Sequence, residues 1–360
     1  MPGGPGMSWF ALSGQDESWI APGMDGDASD ALAVCGSIVI EARVPLLRRP
    51  RPLVVFERRG DWPIYLSVQA LPGGGVTVIL DQGGVIMHRV FDCAEGGRAE
   101  SLRLTYAWNG PERTGRIALE NPDTGETRIA EVPAPRPIRL CDLAALMRSS
   151  SCRYLSPEVV YLAASERMEP VGPMPTLLPD TPVATPDGSR RAGQLRRGDL
   201  VITASGDSVP VLHLISRTVP ARGSFAPVRL RAPFFGLRQD IAVSAQQGLV
   251  LSGSEVEYLF GKETVLMRAG DLQGGHAIQP VNCGRFIRYV QPLLPENEPI
   301  KVAGAALDSL AIGRIRRKPG PLAASLLAPL SRNTLPEHMP QSHAVLRAQE
   351  AAMLADYRAA

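Results

Sequence analysis

The chain has 360 residues and a formal net charge of +2, so no bulk field draws it to nucleic acid or to an acidic surface. Apolar residues make up 44%, enough to fill buried cores, while 5% aromatics, 35 Gly and 33 Pro favour short strands and turns over long helices. No stretch approaches the about 18 consecutive apolar residues of a membrane-spanning helix.

The opening Met1-Pro2-Gly3-Gly4-Pro5-Gly6 has neither a basic nor an apolar signal region, so the expectation is a soluble chain, cytoplasmic or exported by a leaderless route. Residues 1–30 read as a flexible arm in which Trp9, Phe10, Trp19 and Ile20 dock on the first domain. Five cysteines, Cys35, Cys93, Cys141, Cys152 and Cys283, are odd in number and lack a C-x-x-C spacing. That argues against a zinc site or a disulfide framework and implies no metal and no cofactor, with a Cys141–Cys152 pair left open. The basic runs Arg48-Arg49-Pro50-Arg51 and Arg314 to Lys318 read as solvated loops.

From Ser37 to Ala164 alternation of apolar and polar residues predicts strand after strand. Ile64 to Ala70 and Val76 to Leu80 flank Leu71-Pro72-Gly73-Gly74-Gly75 as a hairpin, and Ile117 to Glu120 and Arg128 to Val132 flank Asn121 to Gly125 as another. A short helix is expected over Leu140 to Met147. Turns every 8 to 12 residues predict a two-sheet sandwich over 31–166. Thr105-Tyr106-Ala107-Trp108-Asn109-Gly110, followed by an Arg/Gly turn and a strand ending in Glu120, resembles laminin-G and concanavalin-like jelly rolls. That resemblance implies a glycan or protein partner for residues 37–165. Trp108 itself reads as a core residue, and no dense Asp/Asn cluster offers a calcium site.

Glu169 to Pro175 is a stiff, proline-rich joint, placing a linker at 167–176. Beyond it, Thr181-Pro182-Val183-Ala184-Thr185-Pro186-Asp187-Gly188, then Leu195-Arg196-Arg197-Gly198-Asp199-Leu200-Val201, then Val243-Ser244-Ala245-Gln246-Gln247 succeed one another. This order resembles the bacterial Hint domains, the self-cleaving fold of hedgehog proteins and inteins, over 177–313. The fold class expected is therefore mainly β: a jelly-roll-like β-sandwich, an all-β Hint horseshoe, a linker at 314–341 and a C-terminal helix over 342–360 capped by Ser342. Leu346, Met353, Leu354 and Tyr357 would share one face of that helix.

The resemblance implies a chemistry. A Cys or Ser attacks the carbonyl carbon of the preceding peptide bond, and histidines protonate the departing amide nitrogen, a poor leaving group otherwise. Here the nucleophile position is Thr176, the position of the histidine in the V-S-P-Q-H context is Gln247, and the best match to a late histidine is Glu298. Thr has a hindered hydroxyl of high pKa, and Gln cannot shuttle a proton at neutral pH. If each loss costs on the order of 10²-fold, cleavage vanishes. His213, His276 and Cys283 are the remaining candidates for substitutes, the histidines read as structural or surface groups and the cysteine as a buried free thiol. The leading expectation is a non-enzymatic Hint domain serving as scaffold or binding module. Slow self-cleavage at Pro175–Thr176 and glycan binding by the sandwich stand beside it.

Overall fold

The strand-rich pattern is realised in a computed structural model that describes residues 8–24, 31–44, 49–72, 74–92, 101–272, 276–339 and 343–359. Gly73, Cys93, Arg48 and the Ser342 cap lie outside the described residues. The chain forms two units, Met1–Gly172 and Pro173–Ala360.

In the first unit the strands are β1 (Trp9–Ser13), β2 (Ser18–Ile20), β3 (Leu32–Ala33), β4 (Cys35–Arg43), β5 (Arg51–Arg58), β6 (Ile64–Ala70), β7 (Val76–Gln82) and β8 (Val85–Phe91). They continue as β9 (Ser101–Asn109), β10 (Thr114–Glu120), β11 (Thr127–Glu131) and β12 (Ile138–Arg139), then β13 (Arg153–Leu155) and β14 (Val159–Ser165), with helix α1 (Leu140–Met147) after β12. One sheet runs β11-β10-β9-β4-β14-β1-β2 and the other β13-β5-β6-β7-β8. Their facing sides interleave Ile38, Ile40, Leu104, Trp108 and Ile117 with Val54, Phe56, Val68, Val78 and Leu80 in one core. This is the expected sandwich, with both expected hairpins and the expected helix in place. Trp108 is buried at its centre, its Nε1 donating to Ala33 O at 2.8 Å.

The N-terminal segment departs from expectation. It is no loose arm from Trp9 onward: β1 is buried throughout and pairs with β14, and β2 pairs back on β1. Burial of Trp9, Phe10 and Leu12 outweighs the Gly/Pro-rich surroundings, and Gln15 Nε2 donating to Ser156 O at 2.7 Å anchors the turn.

The other face of β9 carries charge. Register places Glu41 beside Arg103 and Arg103 beside Glu120, and all three are buried. Arg103 Nε donates to Glu120 Oε2 at 3.0 Å, with Glu41 Oε2 3.7 Å from the guanidinium. Gly172 N donates to Glu120 Oε1 at 2.9 Å. Burial alone would lower the Arg103 pKa, but Glu120, Tyr161 and Glu41 outweigh it and raise it above its ordinary value.

The second unit holds β15 (Pro182–Thr185), β16 (Gly188–Arg191), β17 (Leu200–Ile202), β18 (Ser208–Pro210), β19 (His213–Pro220), β20 (Pro227–Leu230), β21 (Ile241–Ser244) and β22 (Gly248–Ser252). After α2 (Ser254–Phe260) come β23 (Thr264–Arg268), β24 (Ile278–Pro280), β25 (Phe286–Leu293), β26 (Ile300–Val302) and β27 (Ala305–Leu307). α3 (Pro319–Ala324), β28 (Ala344–Val345) and α4 (Ala348–Ala359) complete it. The main sheet runs β16-β15-β26-β27-β22-β23-β28, with smaller sheets β17-β18, β19-β25 and β21-β20-β24. The turn Arg196 to Asp199 is tied by Asp199, whose carboxylate accepts from Arg196 N at 2.8 Å and pairs with Arg190 at 2.7 Å.

Two expectations for the C-terminal part need correction. Of the expected 314–341 linker, the described residues 314–339 are not unstructured: short helical turns and α3 bury Ile315, Leu322, Leu327 and Leu335 against Ile215, Leu293, Leu310 and Ile312. Glu337 clamps Arg316 and Arg317, which hold its carboxyl down at about 2. The final helix begins at Ala348, not 342, because β28 first pairs in parallel with β23. It buries Ala351 and Leu354, while Met353 and Tyr357 are exposed.

His338 closes this segment. Its Nδ1 accepts from Ile312 N at 3.2 Å, so Nε2 carries the proton and donates to Leu294 O at 3.1 Å. Burial lowers its pKa, outweighing the opposing pull of the Leu294 carbonyl and Glu296.

Two outcomes are expected. Arg103→Met leaves Glu41 and Glu120 buried without their cation and should cost about 3–5 kcal/mol in chemical denaturation; unchanged stability would contradict the pairing. For His338 the folded pKa lies below the unfolded one, so its contribution is present above about pH 6.5 and lost as pH falls further. Stability between about pH 6.5 and 5 should fall less steeply in His338→Gln than in the wild type, and equal slopes would refute the assignment.

Candidate functional site

Thr176 is placed by backbone pairing on both sides. Leu177 bridges β21 at Val243 and β25 at Val290, with Leu177 N donating to Val290 O at 3.2 Å and Val290 N returning to Leu177 O at 2.8 Å. Ser244 N donates to Thr176 O at 2.8 Å. The segment that enters the domain is thereby threaded between two strands, and the Thr176 side chain is buried.

Gln247 reaches it from the loop between β21 and β22. Its N donates to Ser244 O at 2.9 Å and its O accepts from Ala269 N at 2.9 Å, so the loop is pinned at both ends. Gln291 reaches it from β25, where it pairs with Ile215 of β19. Gln247 and Gln291 are 1% and 2% exposed, so each polar atom needs a partner inside the protein.

They find those partners in one network. Thr176 Oγ1 lies 2.5 Å from Gln247 Oε1 and 2.8 Å from Gln291 Oε1, and its single proton serves one of them at a time. Thr176 N donates to Gln291 Oε1 at 3.0 Å. The far ends of the two amides converge: Gln247 Nε2 donates to Asp308 O at 3.0 Å and to Gly248 O at 2.8 Å, and Gln291 Nε2 donates to Asp308 O at 2.9 Å. Flipping Gln291 would set its NH₂ against the Thr176 N–H, so the network determines the amide orientation. Asp308 follows β27 and is held by donation from its N to Gly248 O at 2.9 Å. A glycine is needed at 248: a Cβ there would lie 3.0 Å from Asp308 Cβ and 2.9 Å from Leu266 Cδ1.

The peptide nitrogen of the Pro175–Thr176 bond is an ordinary N–H, and its partner is an acceptor. Expulsion of that nitrogen needs a proton delivered to it. Gln291 Oε1 instead takes a hydrogen bond from it. The hydroxyl has no better help, because an amide oxygen is too weak a base to remove its proton.

Of the residues singled out in the sequence, Thr176 and Gln247 are brought together and Glu298 is not. Glu298 lies on the loop between β25 and β26, partly buried, and is not a partner of Thr176. Gln291, seven positions earlier and not singled out, is the second side chain that hydrogen-bonds Thr176. A legible signal was there: in Tyr289-Val290-Gln291-Pro292-Leu293 a lone amide interrupts an apolar run. His213 and His276 are not partners of Thr176 either. His213 lies on β19, its pKa lowered by burial and by Arg197, and His276 is exposed beside β24. Burial pushes the Cys283 thiol up, away from nucleophilic form. Cys35, Cys141, Cys152 and Cys283 are free thiols. No group of three metal-ligating side chains occurs among the described residues. No helix among them is long and apolar enough to cross a membrane.

Residues 175–314 match the Hint domain family model, and the chain is a Hint domain-containing protein over that span. No curated protein matches the chain. Among solved structures it is similar to the CBM40 of the Ruminococcus gnavus IT-sialidase, at 14% identity over 37% of this chain and 76% of that one, with a TM-score of 0.26. It is also similar to sheep galectin-11, at 14% identity over 38% and 86%, with a TM-score of 0.22. Scores this low carry no functional argument.

Gln291→Leu should strand the Thr176 N–H and remove one anchor on Asp308 O, costing about 1–3 kcal/mol. Glu298→Gln should leave stability within about 0.5 kcal/mol. Equal losses from the two variants, measured by denaturant midpoint, would contradict the placement of Gln291 in the network.

Proposed function

We propose that this Hint domain is autoproteolytically silent and that the chain works as a scaffold or binding module rather than as a self-cleaving enzyme. The observation that carries this reading is the direction of one hydrogen bond: Thr176 N donates to Gln291 Oε1, where cleavage requires a donor facing that nitrogen. Thr176 holds the nucleophile position in this reading, Gln247 the position of the central histidine, and Gln291 the position for which Glu298 was the sequence candidate. The three neutral side chains satisfy one another, so the pocket is a tie between the entry segment, the β21–β22 loop and β25. Uncompensated loss of nucleophile and proton donor would each cost on the order of 10²-fold or more in rate.

What the scaffold presents is the N-terminal sandwich. Sugar recognition through Trp108 has no support, because that ring is fully buried. A partner for residues 37–165 would meet other side chains of the outer sheet faces.

The test restores the chemistry stepwise. Thr176→Cys alone should stay at the full-chain mass, because no proton donor reaches the amide nitrogen. The triple variant Thr176→Cys, Gln247→His, Gln291→His should fragment at the Pro175–Thr176 bond, with cleavage accelerated by added thiol. Cleavage of the single variant at a rate near that of the triple variant would overturn the reading.

A further inference from the structure

Sheet edges expose unpaired N–H and C=O groups and are normally shortened, charged or interrupted by proline. Most edge strands here follow that rule. β13 and β2 have three residues, β28 has two, β11 carries Arg128 and Glu131, and β16 carries Arg190 and Arg191. β8 does not. It is seven residues long, Val-Ile-Met-His-Arg-Val-Phe, pairs with β7 without a bulge, and contains no proline. Among the described residues no strand pairs with its other side.

The geometry of the hairpin says which groups face outward. Gln82 and Val85 pair across the two-residue turn Gly83-Gly84, whose φ values of 58° and 81° fit the type I′ turn that glycine permits. Residues flanking such a turn exchange both backbone hydrogen bonds, so Val85, Met87, Arg89 and Phe91 bond to β7. The N–H and C=O groups of Ile86, His88 and Val90 therefore point away from the sheet. The same three side chains lie on the outer face, with Ile86 67% and Val90 49% exposed, while Phe91 and Met87 pack on the core.

This pattern is its own complement. Antiparallel pairing of two β8 strands about His88 sets Ile86 opposite Val90 of the second copy and Val90 opposite its Ile86, with His88 opposite His88. Every outward N–H and C=O finds a partner, and any shift of register leaves some unpaired. The one charged side chain, Arg89, is drawn off the edge line by donation to Glu131 O at 3.2 Å, and its 2.8 Å contact to His88 O leaves that oxygen its second lone pair. We propose that β8 is a docking strand for a second copy of this chain, joining two five-stranded sheets into one across a two-fold axis at His88.

Sedimentation velocity of the full chain over an about 100-fold concentration range tests this, since a short strand contact implies micromolar association. The wild type should pass from monomer to dimer. The double variant Ile86→Lys, Val90→Lys should stay monomeric and melt as the wild type does at concentrations where the wild type is monomeric, because both side chains are exposed. His88→Pro, which removes an outward N–H without touching the β7 ladder, should weaken dimerisation at least about 10-fold. A wild type that remains monomeric throughout, or a dimer that survives in both variants, overturns the proposal.

Discussion

The carbonyl oxygen of Asp308 accepts from two glutamine side chains, and the opposite ends of those amides meet at Thr176. The arrangement is neutral, buried and mutually satisfied, which is the condition under which polar groups are retained in a protein interior. It also ties together elements distant in sequence: the entry segment at 176, the loop at 247, β25 at 291 and the end of β27 at 308. Leu177, next in the chain to Thr176, bridges β21 and β25, and Gln247 O accepts from Ala269 N at 2.9 Å.

In the reading proposed above, a self-cleaving Hint centre would use these positions differently. It requires a proton that can move from a side chain to the peptide nitrogen and a nucleophile that can lose its own. Amides do neither, and here their orientation opposes the reaction because Gln291 presents its oxygen to the nitrogen. A stability role and a catalytic role make conflicting demands on this pocket, and the neutral network meets the first.

Strand periodicity made the sandwich legible, including both hairpins and α1, because alternation is dictated locally by one wet and one buried face. It failed where burial is set by tertiary context. Trp9 to Ser13 sits among Gly and Pro but is drawn into the sheet by its apolar side chains. The segment 314–341 looks basic and proline-rich, yet its spaced Ile315, Leu322, Leu327 and Leu335 close a small core over β19 and β25. At the site, counting back from Pro179 in the opening motif points to Thr176 and the Val243-Ser244-Ala245-Gln246 context points to Gln247, and the two side chains meet in the structure. Gln291 was missed since a glutamine in a strand carries no signature until its burial is known, and Glu298 drew notice only through the acidic residues near it. The buried Glu41–Arg103–Glu120 row was likewise hidden, as cross-strand register joins charges that the sequence separates by tens of residues.

The central claim is that the Thr176 hydroxyl never becomes an ester. At neutral pH hydroxylamine cleaves such an ester and spares ordinary amides, the alkali-dependent scission at Asn109-Gly110 included, so the intact mass of the wild-type chain after neutral hydroxylamine treatment is the most direct measurement. A single species at the full-chain mass is the predicted result. Two fragments meeting between Pro175 and Thr176 would show that the acyl shift occurs, and would contradict the account.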